Sequence, residues 1–239
     1  MIKLFISDLH LEESRPDIAE IFLKFLHQYA MQANALYILG DFFEVWIGDD
    51  DLSAFNLSII KALKAATDRG LSIYFMHGNR DFLIGKKFLR ATGCRLLPDE
   101  HLVEMSGLPT LLMHGDTLCT DDVAYLKFRK KSRNKFFQKL FLWKSLNKRK
   151  NIAAGMREKS KAHTSTAAEK IMDVAQAEVE RVMSKHKVKH LIHGHTHRPA
   201  VHEFELNGEV ATRTVLEAWH DRGTVLICDD TGEKKVIVL

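Results

Sequence analysis

Apolar runs and amphipathic stretches alternate through the first third of the chain. Ile2 to Ser7, Ala35 to Leu39 and Leu71 to Met76 are near-continuous apolar runs, the pattern of strands buried on both faces. Between them, Ile18 to Met31 sets Ile21, Phe22, Phe25, Leu26 and Tyr29 on one helical face, and Ser53 to Thr67 predicts a second helix. The order predicts βαβ units. Thr110 to Met113 and His190 to Ile192 predict two further strands, and Ala167 to Lys185 a helix with Ile171, Val174, Ala175, Val179 and Val182 on one side. Beyond Pro199 the pattern changes to short strands with turn signals at Asn207-Gly208 and Asp230-Thr-Gly232, which predict antiparallel pairing. The chain shows no internal repeat and no low-complexity linker.

The polar motifs fall at the ends of the apolar runs. Asp8 and His10 follow the first strand, Gly40-Asp41 the second and Gly78-Asn79 the third. His114-Gly115-Asp116 follows the fourth, and His193-Gly-His195-Thr-His197 the fifth. Ligands of open α/β sheets collect outside the carboxyl ends of the strands. Each motif alone is weak, since Asp-x-His is common and Gly-Asp is often a turn. Five of them in register at strand ends predict a single polar site.

Composition then bounds the class. With 239 residues, 46% hydrophobic and 28% charged, the chain reads as one globular domain over 1–239 with room for an insertion. Cys94, Cys119 and Cys228 form no CxxC pair, so reduced thiols are expected rather than a disulfide framework. No apolar leader follows Met1 and no run reaches a membrane-spanning length, which points to the cytoplasm. The net charge of +4 is unevenly spread. Residues 127–161 hold 14 Lys and Arg against one acid, Glu158, so this window carries +13 and the remainder −9. Phe128, Phe136, Phe137, Leu140, Phe141, Leu142, Trp143, Leu146, Ile152 and Met156 are interleaved with those cations. A solvated cationic helix would not need so many large apolar side chains. The combination predicts a helical lid inserted at about 122–165, suited to an anionic membrane surface or to an acylated, phosphorylated substrate. An ordinary helical hairpin packed on the body is the plainer reading of the same residues.

The ordered motifs resemble those of the calcineurin-like metallophosphoesterases: Asp8-Leu-His10, Gly40-Asp41, Gly78-Asn79-Arg80-Asp81, His114-Gly115 and Gly194-His195-Thr-His197. The resemblance implies an α/β fold, a layered α/β/β/α sandwich, and two metals. Asp8, His10, Asp41 and His197 would hold the first, and Asn79, His114 and His195 the second, with Asp41 bridging. Imidazole, carboxylate and amide without thiolate suit a borderline-to-hard ion such as Mn²⁺. Paired ions about 3.5–4 Å apart lower the pKa of bound water toward about 7. Arg80 stands where much of the family has His, and its permanent fork of donors is expected to contact phosphate rather than serve a surface ion pair. Asp81 and Asp116 are expected to orient ligands or cap turns, and His193 to pack beneath the site. His77 and His220 are read as structural or exposed, and Asp49-Asp50-Asp51 as a solvated turn before a helix.

Longer runs resemble one subgroup, the UDP-2,3-diacylglucosamine hydrolases. They are Tyr37 to Asp50, Gly78 to Leu83, Met113 to Asp122 and Leu191 to His202. This resemblance implies cleavage of UDP-2,3-diacylglucosamine at the α-phosphorus to UMP and lipid X, in lipid A biosynthesis of a Gram-negative cell. It further implies two Mn²⁺ per chain and a peripheral position on the cytoplasmic face of the inner membrane. Arg80 and Asp41 take the catalytic roles, while Asn79, Arg80, Asp122, Ser160, Thr164 and His195 contact substrate. Thr164 and Ala167 replace the Asn and Lys usual in that subgroup, with Lys170 about one turn further on, and Glu217 replaces a small residue. No nucleic-acid or obligate protein partner is expected. A nucleotide or nucleic-acid phosphodiesterase and a non-catalytic scaffold of the same fold are the competing readings.

Overall fold

The computed structural model describes residues 1–166 and 173–239, with side chains outside 159–172. Two sheets lie face to face. The first runs β11(Lys234–Val238), β10(Thr224–Cys228), β1(Lys3–Ile6), β2(Ala35–Ile38), β3(Ser72–Phe75), β4(Arg95–Leu96). Its β1 to β4 are parallel, and β10 and β11 join antiparallel. The second runs β5(His101–Met105), β6(Leu108–Leu112), β7(His190–His193), β9(Glu209–Val215), β8(Ala200–Leu206), with β6, β7 and β9 parallel.

Period-two alternation divides the strand side chains between two cores. Leu4, Ile6, Leu36 and Ile38 pack with Phe22, Phe25, Ile59 and Leu63 from helices α1(Pro16–Gln28) and α2(Ala54–Asp68). Their neighbours Phe5, Ala35 and Tyr37 face the other sheet and meet Leu112, Ile192 and Leu216. Helix α7(Gln176–His186) covers the outer face of the second sheet through Val179, Val182 and Met183. The layers are therefore α/β/β/α, as the resemblance implied.

Local chemistry sets the boundaries. Pro16 opens α1 where its missing N–H costs nothing, and Ser53 caps α2 by accepting from Asn56 N at 3.1 Å. Asn207 and Gly208 both take positive φ, at 53° and 80°, in the tight turn between β8 and β9. The helix expected from Ala167 begins at Gln176 among the described residues. Ala175 is extended, and its N–H donates to Leu118 O at 2.9 Å, which takes the backbone out of helical register. Helix α3(Lys86–Thr92), β4 and β5 had no expectation. They are short, and β4 and β5 carry exposed residues that break the apolar pattern.

Between β6 and β7 stand α4(Val123–Ser132), α5(Lys135–Leu142) and α6(Leu146–Thr166). No side chain of α4 or α5 is buried. Part of the positive charge of this segment is turned onto acids and carbonyls of the body. Arg129 meets Asp116 and Asp99 at 2.6 and 2.7 Å, and Arg133 donates to Gly78 O at 3.0 Å. Arg149 grips Asp50, Lys150 lies 3.4 Å from Asp51, and Arg157 lies 3.1 Å from Glu12. Lys127, Lys130, Lys131, Lys135, Lys139 and Lys148 remain exposed.

Asp49-Asp50-Asp51 is accordingly no mere solvated turn. Asp49 caps α3 by accepting from Gly85, Lys87 and Phe88 N at 2.9 to 3.1 Å, and the other two hold α6. Among the described residues no helix is long and apolar enough to cross a membrane.

Candidate metal centre

The loops after β1, β2, β3, β6 and β7 meet at one end of the sandwich. Asp8 N donates to Gly40 O at 3.1 Å, His10 N to Asp41 O at 3.0 Å and Gly194 N to His114 O at 2.8 Å. The two sheets are stitched by His195 N donating to Asp8 Oδ2 at 2.8 Å and by His114 Nδ1 reaching Leu39 O at 2.8 Å. Asp8, His10, Asp41, His195 and His197 all take φ between 49° and 69°. Such left-handed backbone is costly for residues with a Cβ and concentrates at functional sites. Gly78 permits the closest approach, since a Cβ there would fall on the Asp41 carboxylate and 2.8 Å from its Cγ.

The ring nitrogens and carboxylate oxygens form two clusters. Asp8, His10 and His197 make one, Asp41, His114 and His195 the other, each with ligand atoms within 4.8 Å of one another. Asn79 joins the second, its Oδ1 3.0 Å from His114 Nε2, which in turn stands 3.7 Å from Asp41 Oδ1. In the neutral ring, donation from His114 Nδ1 to Leu39 O leaves Nε2 as the lone-pair nitrogen aimed at the cluster. All seven sequence-predicted ligands are thus together.

The electrostatics fit a cation. Asp8 is fully buried, and its Oδ1 accepts no hydrogen bond while standing 3.5 Å from His197 Nε2. Burial would lower the pKa of His114, but Asp41, Asp8 and Asp116 outweigh it and the value is raised. His10 behaves alike, its burial overcome by Glu44, Asp41 and Asp8. The carboxylates thus favour positive charge on His114 and His10, while burial and then the His114 charge lower the pKa of His195, and the oxygen and nitrogen donors of the cluster fit a divalent metal.

Surrounding residues hold this cluster. Asp81 accepts from Gly78 N at 2.7 Å and Phe42 N at 2.8 Å, fixing the loops that carry Asp41 and Asn79. Burial, then the Asp41 charge, push its pKa up to about 7 against those two amides. Asp116 is held below the usual carboxylate range, because His114, Arg129 and His195 outweigh its burial, and it accepts from Tyr125 Oη at 2.5 Å. His193 is buried beside Arg213, at 3.1 Å, with its pKa pushed down to about 3 by burial and that charge. His77 is a structural group contacting Ile84 O at 2.8 Å, and His220 is exposed.

Of the expected substrate contacts, Arg80 sits beside the cluster. Its N–H donates to Asp41 Oδ1 at 2.8 Å and its guanidinium to Glu44 Oε1 at 3.2 Å. Its ion-pair partner is buried rather than superficial. Asp122 caps α4 by accepting from Tyr125 N at 2.9 Å. The side chains of Ser160 and Thr164, and Ala167 and Lys170 entirely, lie outside the described residues. Glu44 was missed. It lies three residues beyond Asp41 in an aromatic-rich stretch, and only folding reveals its contacts.

The sequence profile of the calcineurin-like phosphoesterases matches residues 3–199. The chain belongs to that family. It is 55% identical to a UDP-2,3-diacylglucosamine hydrolase of Ectopseudomonas mendocina, over 96% of this chain and 95% of the relative. It is 54% identical to one from an Enterobacter species, over 97% of each chain, and 51% identical to one from Pseudomonas aeruginosa, over 98% of each. The family and the two ligand clusters together make this chain a metal-dependent hydrolase.

Proposed function

We propose that the chain hydrolyses the pyrophosphate bond of UDP-2,3-diacylglucosamine at the α-phosphorus. Water oxygen adds to that phosphorus, the bond to the bridging oxygen breaks, and UMP and 2,3-diacylglucosamine 1-phosphate (lipid X) leave. The observation that carries this reading is near-full-length identity above one half to hydrolases of that name, joined to an unbroken ligand set. The reading includes two Mn²⁺ per chain, one on Asp8, His10, Asp41 and His197, the other on Asp41, Asn79, His114 and His195. When bound, such ions lower the pKa of water and offset charge on the phosphoryl oxygens.

The chain's own residues do the rest. The Arg80 guanidinium, paired with Glu44 beside the cluster, supplies a permanent positive charge for the negative charge that develops on the attacked phosphate. Asn79, Asp122, Ser160, Thr164 and His195 complete the proposed substrate contacts. The helices over 123–166 serve as a lid, and α5 meets the anionic inner-membrane surface. Phe136, Phe137, Leu140 and Trp143 are exposed there, Trp143 at 88%, among Lys131, Lys135 and Lys139. Apolar side chains ringed by lysines suit an interfacial helix on anionic lipid.

The deciding experiment incubates the purified chain with UDP-2,3-diacylglucosamine and Mn²⁺ in mixed micelles and analyses the products. UMP with lipid X is expected, whereas UDP release would overturn the assigned bond.

A further inference from the structure

Glu44 is buried, and its backbone is tied down on both sides. Leu11 and Phe43 form a parallel bridge, Glu44 N donates to Leu11 O at 3.1 Å, and Trp46 N donates to Arg80 O at 3.2 Å. So fixed, the carboxylate meets groups from three separate parts of the chain. Oε2 lies 2.6 Å from Nδ1 of His10, on the loop after β1. Oε1 lies 3.2 Å from Arg80, on the loop after β3, and 2.9 Å from Nε of Arg157, on α6. Arg157 also reaches Glu12, two residues from His10. Among the described residues, Glu44 is thus in contact with a metal-ligand candidate, a phosphate-contact candidate and the helix packed above them.

The approach of the Glu44 carboxylate to 2.6 Å is an ion-pair contact that electrostatically favours the imidazole proton on Nδ1, which leaves His10 Nε2 as a lone pair facing His197 Nε2 at 3.3 Å. The other oxygen already accepts a hydrogen bond from Arg80 and forms an ion pair with Arg157. Each half of the carboxylate therefore has a different task, and neither can be met by an amide without losing the other. We infer that Glu44 is a positioning residue that aims His10 at the metal and holds α6 over the site, coupling the two through one carboxylate. This rests on the metal-centre reading above. Coupling is reciprocal, so a metal that orders His10 and Glu44 must also tighten α6.

The test measures Mn²⁺ affinity by calorimetry and amide exchange over residues 146–158 with and without Mn²⁺. In the wild type, Mn²⁺ is expected to slow exchange in that window. Glu44→Gln, which keeps the shape, is expected to bind Mn²⁺ about 10- to 100-fold more weakly, the usual cost of losing a ligand's support. It should also lose the Mn²⁺ response of α6. Arg157→Ala leaves Glu44 on His10, so it should lose only the coupling share of Mn²⁺ affinity, far less than Glu44→Gln loses, yet exchange faster over 146–158 whether or not Mn²⁺ is present.

Wild-type Mn²⁺ affinity in Glu44→Gln would overturn the positioning role, as would an intact Mn²⁺ response of α6 in Arg157→Ala. A wild type that binds no Mn²⁺ would instead overturn the metal centre, and this inference with it.

Discussion

Arg149→Ala should detach α6 from the body without touching the metal residues. Arg149 is only 2% exposed, and its guanidinium spans two elements. It donates to Ile47 O at 2.7 Å, to Lys144 O at 3.0 Å and to both oxygens of Asp50. The ion pair itself is a small part of the loss, because the Asp50 side chain is 49% exposed and water would replace the guanidinium. The buried Ile47 carbonyl has no such recourse, and an unsatisfied buried acceptor costs about 1–3 kcal/mol. With the vacated volume and the lost Lys144 contact, the total is about 2–4 kcal/mol. At ~1.4 kcal/mol per factor of ten, opening of α6 becomes roughly 30- to 700-fold more frequent.

Hydrogen–deuterium exchange over residues 146–158 reads that change directly. Gly48 offers an independent perturbation of the same contact. Its φ is +138°, and a Cβ there would collide with the Arg149 guanidinium and stand 2.8 Å from Leu142 Cδ2, so Gly48→Ala should raise exchange in the same window. Wild-type exchange in both variants would refute the claim that this contact anchors the helix.

Two further outcomes follow from the geometry. Gly78→Ala should displace the Asp41 carboxylate and weaken Mn²⁺ binding by tenfold or more in calorimetry while the far-UV circular dichroism of the whole chain is unchanged, and unchanged affinity would contradict the close approach. His77 bears on acid stability. Burial outweighs its contact with Ile84 O and lowers its pKa from 6.5 to about 4. The unfolded chain takes up this proton near pH 6.5 and the folded chain only near 4, so stability holds above 6.5 and falls as pH drops through that window, by on the order of 3 kcal/mol. Denaturant midpoints for His77→Gln should lose that part of the slope between pH 6.5 and 4, and an unaltered slope would exclude His77 as its source.

The strands that carry the ligands were legible because burial on both faces makes them continuous apolar runs. Their carboxyl ends then located Asp8, Asp41, Asn79, His114 and His195 without any three-dimensional information. Elements with less to bury left less trace. Arg95-Leu96 is exposed at both residues, and β5 buries only Met105. The charge of the inserted segment was legible as a sum but not as a set of partners. The acids that meet Arg129, Arg149 and Arg157 lie between 13 and 145 residues away in the chain. Glu44 was hidden for the same reason, since a lone buried glutamate among aromatics has meaning only once His10, Arg80 and Arg157 surround it.

The sharing of Asp41 between two cations is tested most directly by metal content against turnover. Equilibrium dialysis with Mn²⁺, read by mass spectrometry, should give two ions per wild-type chain and one or none for Asp41→Ala, with UMP release from UDP-2,3-diacylglucosamine abolished in the variant. Two tightly held ions and undiminished UMP release in Asp41→Ala would contradict the account.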